Sequence, residues 1–306
     1  MRSLLILVAL ARVASAETPK SCVAGEQFAK DAIHADLAFL ASKELDGRAP
    51  GTDGDVQARK LVEARFACLG LEPAGDGNGF TQAFDTGAKH TANLIGFVKG
   101  SDPKLAGDIV MISAHLDHLG GGHLGANDDA SGVVALLAIA QAVKQGDPPK
   151  RTLAFVVFGA EEDGMIGSGF YAKHPAAALP LAHVVQFVEL DMVGSYSSSD
   201  LVAAMGAFKG FAARTLLDKH LTKKLHVSAG GKARGSDFAP FCALGVPYTF
   251  FWTPDHECYH ERCDTLDRID MPHLLEIAKL AGALVHDLGD TDLDLAGLRA
   301  KKGCGV

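Results

Sequence analysis

The sequence is short of positive charge. Lysine and arginine number 29 against 37 aspartates and glutamates, for a net charge of −8 with histidine neutral. That balance leaves no broad basic surface for nucleic acid or an anionic membrane. Beyond the first sixteen residues no run reaches the roughly 18 uninterrupted apolar residues of a membrane span, so the mature chain is expected to be soluble. The six cysteines include no C-x-x-C pair, which removes zinc knuckles and thioredoxin-like redox motifs. There is no internal repeat and no Pro- or Ser-rich linker, and one domain is the simplest reading.

What is present is a long apolar chain rich in glycine. Of its 306 residues 48% are hydrophobic, and 34 are glycine. That is ample for one large core with many tight strand-to-helix turns. Residues 1–16 read as a secretory signal peptide: Arg2, the short apolar run Leu4 to Leu10, then the small-x-small site Ala14-Ser15-Ala16. Its removal takes Arg2 and Arg12 from a chain of net charge −8 and leaves −10. The protein is therefore expected outside the cytoplasm, secreted or periplasmic. Export permits disulfides among Cys22, Cys68, Cys242, Cys258, Cys263 and Cys304. Cys258 and Cys263 are near enough in sequence to close a small ring, and the other pairings stay open.

Hydrophobic periodicity predicts an alternation of elements. Helices are expected over Asp31–Lys43, Asp53–Leu69, Ser131–Lys144, Gly167–Lys173, Gly210–His220 and Met271–Leu288. Strands are expected over Ala92–Val98, Asp108–Ala114, Thr152–Phe158, His183–Leu190, Leu201–Met205 and Val246–Trp252. Apolar strands alternating with helices imply an α/β fold, a sheet covered on both faces. The stretch from Gly289 to Val306 reads as a flexible tail.

The polar residues fall at the ends of these strands. Asp108–Ala114 runs into His115-Leu116-Asp117-His118, Thr152–Phe158 into Gly159-Ala160-Glu161-Glu162, and His183–Leu190 into Asp191. After Val246–Trp252 come His256 and His260. Four strands each delivering histidine or carboxylate at the carboxyl end place a site where open α/β sheets bind ligands. Histidine with carboxylate suits zinc or a similar divalent ion. Taken singly, Glu161-Glu162 also reads as a solvated helix start and Asn127-Asp128-Asp129 as a helix cap.

Together these stretches resemble the M28 family of zinc aminopeptidases, over nearly the whole mature chain. The matching segments are Leu45-Asp46-Gly47-Arg48, Ala114-His115-Leu116-Asp117, Gly125 to Gly132, Gly159-Ala160-Glu161-Glu162, Leu190-Asp191-Met192, Ser236 to Phe241 and Cys258 to Thr265. The resemblance implies a zinc exopeptidase domain over residues 17–288, with a mixed, mostly parallel sheet flanked by helices on both faces. It implies a secreted hydrolase, a metalloprotease acting on peptides with a free N-terminus. Two zinc ions would be held, one by His115 and Asp191, the other by Glu162 and His260, with Asp128 bridging both. Glu161 would be the general acid/base. Asp117 would hydrogen-bond the free ring nitrogen of His115, and Tyr259 would donate to the developing oxyanion or simply pack. The peptide bond between Asp128 and Asp129 is expected to be cis, as in family relatives.

His118, His123 and His256 lie near the site in sequence. With the ligand set complete, they read as surface residues or as supports behind the ligands. Asp237 and Asp264 read as supports of the site's loops. Two other activities share the resemblance, a carboxypeptidase or dipeptidase and a glutaminyl cyclase. A full set of second-metal ligands favours the aminopeptidase, and the walls offered by Met192, Phe251 and Trp252 favour an apolar N-terminal side chain.

Overall fold

A computed structural model describes residue 22 and residues 25–194, 201–233, 235–254 and 257–304. The signal-peptide segment and His256 lie outside the described residues. Among the described residues, nine strands form one mixed sheet: β1 (Glu72–Pro73), β2 (Thr81–Thr86), β3 (Lys89–Val98), β4 (Ile109–His115), β5 (Thr152–Phe158), β6 (Val184–Leu190), β7 (Leu201–Met205), β8 (His226–Ala229) and β9 (Tyr248–Trp252). Their order is β1-β3-β5-β4-β6-β9-β7-β8, with β2 also paired to β3. The four central strands β5, β4, β6 and β9 run parallel. The flanks turn antiparallel where β3 meets β5 and β7 meets β9.

Among the described residues, eight helices cover the two faces: α1 (Lys30–Leu40), α2 (Asp53–Leu69), α3 (Gly132–Gln145), α4 (Ile166–Lys173), α5 (Ala212–Leu217), α6 (Phe238–Ala243), α7 (Met271–Asp290) and α8 (Leu295–Lys302). Side chains alternate across a strand, and β4 shows the result. Val110, Ile112 and Ala114 enter the core under α1, α2, α3 and α7, while Ile109 and Met111 enter a second core with Tyr171 of α4 and Phe241 of α6. Every residue of β4, β5 and β6 is buried, which is why these strands read as mostly apolar runs. Burial on both sides fixes their register, so the polar residues that follow them are delivered to one edge.

The stretch after residue 288 is not a loose tail. α7 continues to Asp290, and α8 follows with Asp294 capping it through a bond from the Gly297 N–H at 2.7 Å. Arg299 donates to the carbonyls of Ala182 and Val184, and Cys304 is bonded to Cys242. These partners are more than a hundred residues away or cross-linked, so local periodicity did not reveal them. The other disulfides join Cys22 to Cys68 and, as expected, Cys258 to Cys263. Among the described residues no helix is long and apolar enough to cross a membrane.

Candidate metal centre

The carboxyl ends of β4, β5 and β6 and the loop after β9 converge on one cavity of about 440 Å³. His115, Asp128, Glu161, Asp191, Tyr259 and His260 line it. Three residues next to these ends have left-handed backbones without being glycine: Ala160 (φ 57°) before Glu161, Met192 (φ 54°) after Asp191, and His260 itself (φ 58°). Each such residue costs about 1–3 kcal/mol and persists where its surroundings over-determine it, as functional sites do.

Asp128 stands at the centre. His115 Nε2 is 3.1 Å from its Oδ1, and His260 Nε2 is 3.4 Å from its Oδ2. Asp191 Oδ1 lies 3.6 Å from His115 Nε2, and Glu162 Oε2 lies 3.1 Å from His260 Nε2. The five residues singled out as ligands are thus brought together in two groups sharing one carboxylate. The Asp128–Asp129 peptide is cis, as the resemblance implied. Hydrogen bonds from His115 and His260 hold Asp128 well below the usual carboxylate range, overcoming the upward push of burial. Burial acts against protonation of His115, yet Asp128 and Asp191 raise it well above its ordinary value.

The support beneath this centre is a set of carboxylates that accept backbone N–H groups. Asp264 accepts from Asn127 at 2.7 Å and Asp128 at 3.0 Å, the loop-holding task expected of it. Asp129 points away from the cavity and accepts from His115, Gly132 and Met192 at 3.1, 2.8 and 3.1 Å. It therefore ties β4, α3 and the end of β6 together. Gly132 must be glycine for this: a Cβ there would stand 2.2 Å from the Leu190 carbonyl oxygen and 2.4 Å from Asp129 Oδ1. Arg48, fully buried, donates to the carbonyls of Leu40, Leu116, Leu124 and Gly125 at 2.6–2.9 Å. That gives the Leu45–Arg48 segment a task that sequence reading left blank.

One expectation changes in detail. Asp117 does sit behind His115, but its backbone carbonyl oxygen is the partner, 3.1 Å from His115 Nδ1. Its nearer carboxylate oxygen is 4.0 Å from that nitrogen. The carboxylate is already engaged, accepting the N–H groups of Glu161 at 2.9 Å and Glu162 at 3.1 Å. Of the two places left open for His118, surface or support, it takes the second: it is fully buried, and its Nδ1 lies 2.7 Å from Glu162 Oε1. His123 stays in its own loop, with Nδ1 near the Gly120 carbonyl oxygen.

Glu189 carried no sequence signal, and Ser236 lay in a matching segment without a task of its own. The Ser236 hydroxyl is 2.8 Å from Glu189 Oε1 and 2.9 Å from Asp191 Oδ2. One hydroxyl proton cannot serve both. Burial, with the neighbouring Asp191, pushes Glu189 up to about 8. Asp237 is buried, and burial with Glu189 beside it raises its carboxyl well above the ordinary value. Glu161 is driven to about 9 by burial and by Asp237, Asp191 and Glu162, against the pull of His115. Tyr259 is half-exposed, stacks on His260 with ring centroids 3.9 Å apart, and faces the cavity. The remaining walls are Met192, Met205, Phe250 and Trp252, with Lys232 at the rim.

A divalent cation fits this donor set. Asp191 Oδ1 is buried with no hydrogen-bond partner among the described residues. A buried carboxylate oxygen in that state needs a cation beside it, and it points at a histidine nitrogen and a second carboxylate. Imidazole nitrogen with carboxylate oxygen is a zinc-type set.

The model of peptidase family M28 matches residues 93–285, well over half of the chain. Leupeptin-inactivating enzyme 1 of Streptomyces exfoliatus is 29% identical over 263 residues, covering 76% of this chain and 55% of that protein. Aminopeptidase YwaD of Bacillus subtilis is 30% identical over 231 residues, covering 69% and 49%. This chain thus spans about half the length of the curated relatives it matches. The solved structure of a zinc aminopeptidase from Bacillus subtilis superposes with a TM-score of 0.72 at 17% identity, over 89% of this chain and 98% of that one. Likeness at that identity shows a common fold. With the family match covering the strands and loops that carry His115, Asp128, Glu162, Asp191 and His260, the chain belongs to peptidase family M28.

Proposed function

We propose that this protein is a secreted or periplasmic aminopeptidase that uses two zinc ions. His115, Asp128 and Asp191 would hold one, and Asp128, Glu162 and His260 the other. The observation that carries the reading is the pair of donor groups on opposite oxygens of Asp128, His115 at Oδ1 and His260 at Oδ2. When bound, the zinc pair supplies an activated water and positive charge for the reacting oxygens. The chain's own residues supply the rest. Glu161 adjoins a ligand without being needed as one; burial raises it to about 9 without metal, and beside the zinc charge it would give up that proton, leaving the carboxylate able to take the water's proton and return it to the leaving amine. Glu161 and Asp191 also offer acceptors to the α-ammonium of a free N-terminus. The Tyr259 hydroxyl, held protonated because burial pushes it up to about 12, faces the cavity as a donor to the oxyanion.

The walls of Met192, Met205, Phe250 and Trp252 suit an apolar N-terminal side chain. Three disulfides support an oxidising compartment. The test is hydrolysis of aminoacyl anilides by the purified mature protein. Leucyl anilide should be cleaved and its N-acetyl derivative should not. Activity should vanish on chelation and return with zinc. Cleavage of blocked substrates, or of C-terminal residues instead, would overturn the assignment.

A further inference from the structure

Among the described residues, His118 is the one buried histidine at the site without a task in the two-zinc arrangement. It lies within reach of Asp128 and Glu162, so the three together look like a second metal triad. The distances argue otherwise. Two donors on one tetrahedral zinc, with bonds of 2.0–2.1 Å, stand about 3.3 Å apart. His260 Nε2 meets that spacing at 3.1 Å from Glu162 Oε2 and 3.4 Å from Asp128 Oδ2. His115 Nε2 meets it at 3.1 Å from Asp128 Oδ1 and 3.6 Å from Asp191 Oδ1. His118 Nδ1 misses on both sides, at 2.7 Å from Glu162 Oε1 and 3.8 Å from Asp128 Oδ2. A separation of 2.7 Å is instead the length of a charge-assisted N–H···O⁻ hydrogen bond.

The ring has no freedom to become a ligand by turning. His118 is fully buried, and its backbone N–H donates to the Gly47 carbonyl at 2.7 Å. Gly125, at φ 63°, packs directly on it: a Cβ there would stand 2.6 Å from His118 Cγ. Nε2 is buried with no hydrogen-bond partner among the described residues. Hydrogen on Nε2 would strand a buried donor and press a lone pair on Nδ1 against a carboxylate oxygen. Hydrogen on Nδ1 avoids both.

The geometry points to His118 as a positioning residue that donates Nδ1–H to Glu162 Oε1, leaving Oε2 as the oxygen presented to the second zinc. This rests on the two-zinc reading. It makes Glu162 a one-oxygen ligand whose orientation is set by a neighbour in the β4–α3 loop. Loss of such a supporting hydrogen bond typically weakens metal binding about 10–100-fold.

The test is chelator competition on the metal-stripped mature protein with zinc as the titrant, for the wild type, His118→Phe, His118→Asn and His118→Gln. Asparagine keeps an N–H near the place of Nδ1. Glutamine carries its amide out to the place of Nε2, and phenylalanine fills the volume with no donor. His118→Phe should weaken one zinc equivalent about 10–100-fold and leave the other unchanged. His118→Asn should recover most of that loss, and His118→Gln should not. If phenylalanine prevents folding, the contrast between asparagine and glutamine decides. Unchanged zinc affinity in His118→Phe, or equal affinities in the asparagine and glutamine variants, would overturn the role. Loss of one whole equivalent in every variant would make His118 a ligand instead. A wild type that binds fewer than two zinc ions would mark failure of the parent reading, visible before any variant is made.

Discussion

Replacing Asp117 by asparagine removes an acceptor from a place where two are in use. Glu161 N–H donates to one carboxylate oxygen at 2.9 Å and Glu162 N–H to the other at 3.1 Å. Asparagine keeps one oxygen and turns an NH₂ group towards the second N–H. A backbone donor left unpaired in a buried site costs about 1–3 kcal/mol. Part of this is offset, because burial pushes the Asp117 carboxyl up to about 6, and the neutral amide escapes that penalty. The net loss should sit near the lower end, about 1 kcal/mol, or a fall of about 2–4 °C in melting temperature. The functional loss should be larger, because the shifted segment carries both Glu161 and Glu162. A misplacement of about 1 Å can cost about 10²-fold in rate. The backbone carbonyl that holds His115 Nδ1 is untouched by the substitution. Asp117→Asn should therefore lower kcat by about two orders of magnitude and weaken one zinc equivalent while sparing the other. Melting curves, chelator competition and steady-state kinetics on the same preparation check this. Near-normal turnover with both zinc ions retained would refute the reasoning.

Other outcomes follow from the same geometry. Glu161→Gln should keep both metals and lose about 10²–10⁴-fold in turnover, measured with metal content on the same sample. Tyr259→Phe should lower kcat by about 10²–10³-fold with KM little changed if the hydroxyl serves the oxyanion; a change in KM alone would make it a binding residue. Stability of the metal-free protein should fall as pH rises. Asp117, Glu189 and Glu161 are raised to about 6, 8 and 9, all mainly by burial. The folded state therefore binds more protons than the unfolded chain above the ordinary carboxylate range, and the stability this gives is lost progressively from that range up to about 6 for Asp117, 8 for Glu189 and 9 for Glu161. Asp128 is shifted the other way, but its window lies below the ordinary carboxylate range. Zinc takes the place of these protons, so the gain in melting temperature on adding zinc should be greater at pH 8 than at pH 6. A gain that is flat, or larger at pH 6, would contradict the linkage.

Much of the site was legible because burial wrote it into the sequence. β4, β5 and β6 are buried on both faces, so each is mostly apolar, and the histidine or carboxylate that follows each strand stands out, although Gln186 and Glu189 interrupt β6. α2 ran from Asp53 to Leu69 as expected, with Thr52 as cap and Gly70 in the left-handed turn that ends it. What was missed depends on contacts far apart in the chain. Nothing local separates His118 from a surface histidine; its partner Glu162 is 44 residues away. The motif around Arg48 was visible, but its task appears only when the carbonyls of Leu116, Leu124 and Gly125 fold over it. β2 was overlooked because Thr81–Thr86 is short and half-exposed, and it owes its place to pairing along β3. The resemblance set Asp117 against the ring of His115, and the structure gives that contact to its backbone carbonyl, leaving the carboxylate for other partners. Two backbone N–H groups at the end of β5 compete for it and win.

The central claim is that one carboxylate, Asp128, joins two metal sites. Crystals of the zinc-loaded protein, with anomalous diffraction recorded at the zinc edge, test it most directly. The account predicts two anomalous peaks about 3.5–4 Å apart. His115 and Asp191 should meet one, Glu162 and His260 the other, and one oxygen of Asp128 should meet each. A single peak, or two peaks with Asp128 bound to only one of them, would contradict it.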